Sequence, residues 1–235
     1  MFRNPFNFGI DDLIQLLYFI PVFLITITVH EVAHGYAAYK LGDPTAKNMG
    51  RLTLNPLKHI DVIGFVMLMI LRFGWAKPVP INPRNFRNPQ KGMAISALAG
   101  PGANFCMATA GAILQRIILI VIINNSIYLD DGTFLYNFMF LFLDFFGYFF
   151  ILNIYFGVFN LLPVPPLDGS RVVSYFLPPR LSYQYAKIER YGFIVLIVLL
   201  WTGILRVPLQ WVSGLVQTGI SFILNLIPFL RLPSF

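Results

Sequence analysis

The densest chemistry in the chain lies in residues 25–40, "ITITVHEVAHGYAAYK". His30 and His34 are four residues apart, so on a helix they share one face and converge on one ion. Glu31 stands beside them, within reach of a water at that ion. His-Glu-x-x-His is the arrangement that hydrolytic zinc enzymes place on a helix, with imidazoles as ligands and the glutamate as general base and acid. Here the pattern sits in a strongly apolar stretch. An ionisable group inside a bilayer costs about 2.5–3.5 kcal/mol on insertion scales, so three polar groups in one turn call for a common partner. A divalent cation serves all three. The plainer alternative is a set of polar side chains packed between helices.

A hydrolytic zinc site needs a third protein ligand and one open position. The extended soluble pattern would place glycine at 37 and histidine at 40, where this chain has Ala37 and Lys40. The only other glutamate is Glu189. That leaves His59 and the aspartates. Asp43 follows the helix too closely in sequence to fold back. Asp61 and His59 form a candidate polar pair at the mouth of a short apolar run. Asp144 lies deep in "LFLDFFGYFF", and Asp168 lies in "NLLPVPPLDGSR". His34 and His30 precede Lys40 by six and ten residues, which puts an ion about 9–15 Å in from that helix end. Asp168 matches this depth and Asp144 does not. On the residues alone, Asp168 reads equally as a ligand and as the N-cap of a helix starting at Gly169.

The elements that must position these groups are membrane helices. The 235 residues are 57% hydrophobic and 11% charged, with mean hydropathy +0.70; soluble domains carry about 25% charged residues. We expect an all-α polytopic membrane protein with about five transmembrane helices, at 13–39, 92–123, 133–162, 191–206 and 209–230. The 12-residue run 60–71 is too short to span and reads as re-entrant, within an extended or re-entrant cytoplasmic-side segment at about 58–91. The net charge of +7 does not require nucleic acid, because nine of 17 Lys and Arg lie from Lys40 to Lys91 and four more from Arg171 to Arg190. This is the positive-inside pattern. It predicts a multi-pass cell-membrane protein with its N-terminus outside, the loop 124–132 outside, and the active site opening toward the cytoplasm. Cys106 is alone, so no internal disulfide or cysteine-based zinc site forms. An Arg-led apolar N-terminus without a small-residue cleavage site argues against a removable signal peptide.

Taken together, "HEVAH" at 30–34 and "LDG" at 167–169 resemble the site-2 protease family of intramembrane zinc metalloproteases, in its short prokaryotic type without PDZ or CBS domains. The resemblance extends to "GRLTLNPLKHID" (50–61), "AKPVPINPRNFRNP" (76–89), "AGPGAN" (99–104) and "NLLPVPPLDG" (160–169). It covers about residues 25–190 and departs at Val62, where the family expectation is proline. A single domain over 1–235 follows, with an extra C-terminal helical hairpin at about 191–230. The resemblance implies one Zn2+ per chain held by His30, His34 and Asp168, with Glu31 as the catalytic acid/base. It implies a zinc metalloendopeptidase that cuts membrane-anchored proteins in or near their transmembrane segments.

A substrate helix must unwind before attack, and unwinding strands backbone groups at several kcal/mol each in lipid. Two proline-rich stretches could offer replacement partners. "LLPVPPLDG" cannot be a regular helix, which makes Pro163 and Asn160 candidate substrate contacts. "AKPVPINP" reads as an extended edge suited to strand addition. Asn104 is a third candidate contact, or else a close-packing residue after "GPG". Arg116 reads as snorkelling toward the outer face. A metal transporter would predict ligands spread along a path and an inverted repeat, and the sequence has neither. A silent helix-binding scaffold would leave Glu31 without a task.

Overall fold

The computed structural model describes residues 10–71, 74–124 and 133–231, and among these it is helical nearly throughout. The order is α1 (Ile10–Lys40), α2 (Thr45–Asn48), α3 (Val62–Leu71), α4 (Pro89–Asn124), α5 (Phe134–Asn160), α6 (Asp168–Phe176), α7 (Pro179–Trp201) and α8 (Arg206–Asn225). Among the described residues, four helices are long and apolar enough to cross a membrane: Leu17–Lys40 within α1, then α4, α5 and α8. Most of the loop 124–132 lies outside the described residues.

The expected span at 191–206 is corrected. α7 begins with a charged half containing Arg180, Lys187 and Arg190, and its apolar part, Arg190–Trp201, is only 12 residues. The run then breaks at a turn where Gly203 adopts φ +72°, a conformation open chiefly to glycine. α8 starts afresh at Arg206.

α1, α4 and α5 form the central layer, and α4 packs along both of the others. The apolar outer faces stay uncovered, as with Leu135, Leu141 and Ile151 on α5 and Trp211 and Phe222 on α8. Lipid is the solvent that suits such faces, because helices satisfy their own backbone. The short helix α3 occupies the expected re-entrant run. Asp61 caps it, accepting from Gly64 N–H at 2.8 Å. Leu68 of α3 docks on Phe23 and Ile27 of α1, with Leu152 and Phe156 of α5 alongside. The chain then returns as an extended segment beside Ile60, where Ala76 forms an antiparallel bridge. α6 folds back against α4.

Candidate metal centre

His30 and His34 lie in the last third of α1 and are both buried. Their rings meet edge to face at 4.4 Å, and Phe156 of α5 packs edge-on against His30 at 5.0 Å. α4 passes directly beneath them. A Cβ on Gly100 would fall 2.4 Å from His34 Nε2 and 2.6 Å from His30 Cε1. Only glycine lets α4 approach this closely. Both rings are also held from behind. His34 Nδ1 donates to the Ser96 carbonyl at 2.7 Å, and His30 Nδ1 donates to Asn104 Oδ1 at 2.6 Å. Asn104 Nδ2 in turn donates to Asn153 Oδ1 of α5 at 3.0 Å.

Asp168 arrives from the far end of α5. After Asn160 the chain turns through 161–167, with a cis bond between Pro165 and Pro166. α6 then starts on Asp168, with Leu167 as N-cap and no side-chain cap bond. Gly169 makes this reversal possible, because a Cβ there would lie 2.1 Å from the Leu161 carbonyl. Asp168 Oδ2 reaches 3.2 Å from both His30 Nε2 and His34 Nε2, and the two Nε2 atoms are 2.9 Å apart. Two imidazoles and one carboxylate from α1 and α6 thus offer ligand atoms within 4.8 Å of one another.

This donor set fits a metal ion. Each Nδ1 is committed as a donor to an oxygen that only accepts, so each neutral ring turns a lone pair inward at Nε2. Asp168 Oδ2 is buried and has no hydrogen-bond donor. Three acceptors face one another with no hydrogen among them, which a cation resolves. Ligand atoms at about 2.0–2.1 Å from a tetrahedral zinc lie roughly 3.3 Å apart, close to the spacings found.

Glu31, one residue along α1, is partly buried and its Oε2 accepts from Val79 N–H at 2.7 Å. Val79 belongs to the extended segment 76–82, which is pinned along its length. Lys77 N–H donates to the His59 carbonyl at 2.9 Å, and Arg51 Nη2 donates to the Lys77 carbonyl at 2.8 Å. Asn82 N–H donates to Asp43 Oδ2 at 2.7 Å.

The remaining candidate ligands are occupied elsewhere. His59 is fully buried and its Nε2 donates to the Thr53 carbonyl at 2.8 Å, while Asp61 caps α3 rather than pairing with it. Asp43 is buried and accepts from Thr45, Asn82 and Asn85. Burial pushes its carboxyl up, but these bonds outweigh that and hold it below its ordinary 3.8. Asp144 is exposed on α5. Among the three expected substrate contacts, Asn104 is fully buried, with both polar ends bonded inside the protein. Asn160 Nδ2 donates to the Phe156 carbonyl one turn back at 2.9 Å. The Pro163 carbonyl accepts from Tyr185 Oη at 2.7 Å. Arg116 turns to Asn225 and the carbonyls of Ser221 and Leu230. Sequence reasoning missed Ser96, Gly100 and Asn153 as supports of the histidines. The available signal was Asn153, one of the few polar side chains of α5 beside Asn137, Asp144 and Asn160.

The chain is also similar to known proteins. "Putative zinc metalloprotease YwhC" of Bacillus subtilis is 38% identical over 185 residues, covering 79% of this chain and 80% of that protein. "Putative zinc metalloprotease Rip2" of Mycolicibacterium smegmatis is 29% identical over 224 residues, covering 90% and 78%. The Mycobacterium tuberculosis protein of the same name is 24% identical over 197 residues, covering 82% and 69%. No solved structure matches the chain. The model of peptidase family M50 matches residues 18–203. With most of the chain matched, from the histidine helix through the Leu-Asp-Gly reversal, the protein belongs to peptidase family M50, the site-2 protease family that its motifs resemble.

Proposed function

We propose that the chain is an intramembrane zinc metalloprotease that hydrolyses peptide bonds in or near the transmembrane segments of membrane-anchored proteins, as in regulated intramembrane proteolysis. The observation that carries this reading is the meeting of His30, His34 and Asp168 in a buried site built by membrane helices. The relatives' printed names add zinc as the metal. His30, His34 and Asp168 would hold one Zn2+ and leave one position open. Bound there, zinc supplies Lewis acidity, which acidifies water and polarises a carbonyl.

Glu31 takes the proton from the attacking water and returns it to the leaving amine. The Val79 N–H on Oε2 orients that carboxylate and leaves its other oxygen for the proton. Gly100 and the carbonyl of Ser96 keep the imidazoles in place without contacting substrate. The segment 76–82, fixed to Glu31 at Val79, runs beside the centre and suits an extended substrate. Asn160 and Pro163 flank the approach from the α5–α6 turn. The basic stretches 40–91 and 171–190 support a cytoplasmic position for this end of the molecule, with the N-terminus outside. Water then reaches the site from the cytosol.

A proteolysis assay with a tagged single-span substrate in bicelles tests the reading. Glu31→Gln should abolish cleavage and leave bound zinc unchanged. Cleavage that persists in this variant would remove Glu31 from the mechanism.

A further inference from the structure

The two histidines are oriented by different means. His34 Nδ1 faces the backbone carbonyl of Ser96, which can only accept, so its ring proton is fixed on Nδ1. His30 Nδ1 faces a side-chain amide, that of Asn104. An amide can turn over and present either an oxygen or an N–H. With the oxygen forward, His30 carries its proton on Nδ1 and shows a lone pair at Nε2. With the nitrogen forward, the proton moves to Nε2 and blocks the lone pair that faces His34 and Asp168.

The geometry points to Asn153 as the residue that decides between these states, a positioning residue acting on His30 through Asn104. Its Nδ2 donates to the Phe149 carbonyl, one turn back in α5, at 2.9 Å. That carbonyl only accepts, so Asn153 Oδ1 is left facing Asn104 and accepts from its Nδ2 at 3.0 Å. The Asn104 oxygen must then face His30, at 2.6 Å. Asn104 and Asn153 are both fully buried, so no water substitutes for either bond. A backbone carbonyl of α5 thereby sets the tautomer of a histidine on α1 through two amides. Outer partners of this kind commonly change metal affinity 10–100-fold when lost.

This inference rests on the zinc reading above, and the test separates the two. Zinc affinity of the purified full chain is measured by competition with a chelator, alongside thermal unfolding of the zinc-free protein. If the natural chain binds no zinc, the functional reading fails first. If it binds, Asn153→Leu should weaken zinc binding about 10–100-fold. Asn104→Asp is used only together with Asn153→Leu, because alone it would set a carboxylate oxygen against Asn153 Oδ1, two acceptors with no hydrogen between them. The double variant Asn104→Asp with Asn153→Leu should bind zinc within a few-fold of the natural chain, because a carboxylate has no wrong orientation to correct. A purely structural role for Asn153 would leave the double variant as weak as Asn153→Leu. That result, or natural affinity in Asn153→Leu, would overturn the proposal. Asn153→Ala takes the place of Asn153→Leu if the latter does not fold.

Discussion

Gly100→Ala adds a single methyl group at the closest approach of α4 to the metal ligands. Its Cβ would stand 2.4 Å from His34 Nε2, 2.5 Å from His34 Cε1 and 2.6 Å from His30 Cε1. Ordinary contact between such atoms is about 3.5 Å, so the imidazoles or α4 must move by roughly 1 Å. α4 cannot withdraw freely, because Ser96 and Asn104 hold both rings from the same helix. The displacement therefore falls on the two Nε2 atoms. A misplacement of about 1 Å costs on the order of 10²-fold in rate, or about 2.7 kcal/mol. The fold itself should survive. Overpacking costs about 1–3 kcal/mol, offset by about 1 kcal/mol from replacing glycine in a helix interior. The assay pairs kcat/KM on a single-span substrate with thermal unfolding in detergent. We expect activity to fall about 100-fold with a modest change in Tm. Natural activity in Gly100→Ala would show that the ligands are not held by α4 as described.

Asp168→Ala should empty the purified protein of zinc, whereas Asp144→Ala and His59→Ala should retain it, as read by elemental analysis after dialysis. Asp43 ties the 76–85 stretch to the end of α1, and its carboxyl is held below 3.8 by Thr45, Asn85 and Asn82 against the effect of burial. Its contribution to stability is therefore complete well above pH 3.8 and is lost as pH falls through the lower folded-state value. Asp43→Asn should be less stable than the natural chain at neutral pH by about 1–3 kcal/mol. The gap should narrow in thermal unfolding as pH falls below 3.8 toward the lower folded-state value; a gap that stays constant would refute the assignment.

The histidine pair was legible because both ligands lie one turn apart on one helix, where local spacing fixes geometry. Asp168 was only half legible. Its depth matched, but whether α6 folds back toward α1 depends on the turn at 161–167 and on Gly169 passing the Leu161 carbonyl. The support by Asn104 and Asn153 could not be read, because His30, Asn104 and Asn153 stand 74 and 49 residues apart in sequence and meet only through the packing of α1, α4 and α5. Hydrophobic runs located α1, α4, α5 and α8 well. They overstated 191–206 because mean apolarity does not register a helix that ends at Thr202 in a glycine turn. The contact between Glu31 and Val79 was hidden for a similar reason. Prolines mark 76–83 as extended without showing which side chain its few N–H groups meet.

The most direct measurement is X-ray absorption at the zinc edge on the purified natural chain and on Asp168→Ala. The natural chain should contain one zinc per chain, with nitrogen and oxygen neighbours at about 2.0–2.1 Å and the outer-shell pattern of two imidazoles. The variant should give little or no zinc signal. Full zinc occupancy with an unchanged spectrum in Asp168→Ala would contradict a centre built from His30, His34 and Asp168.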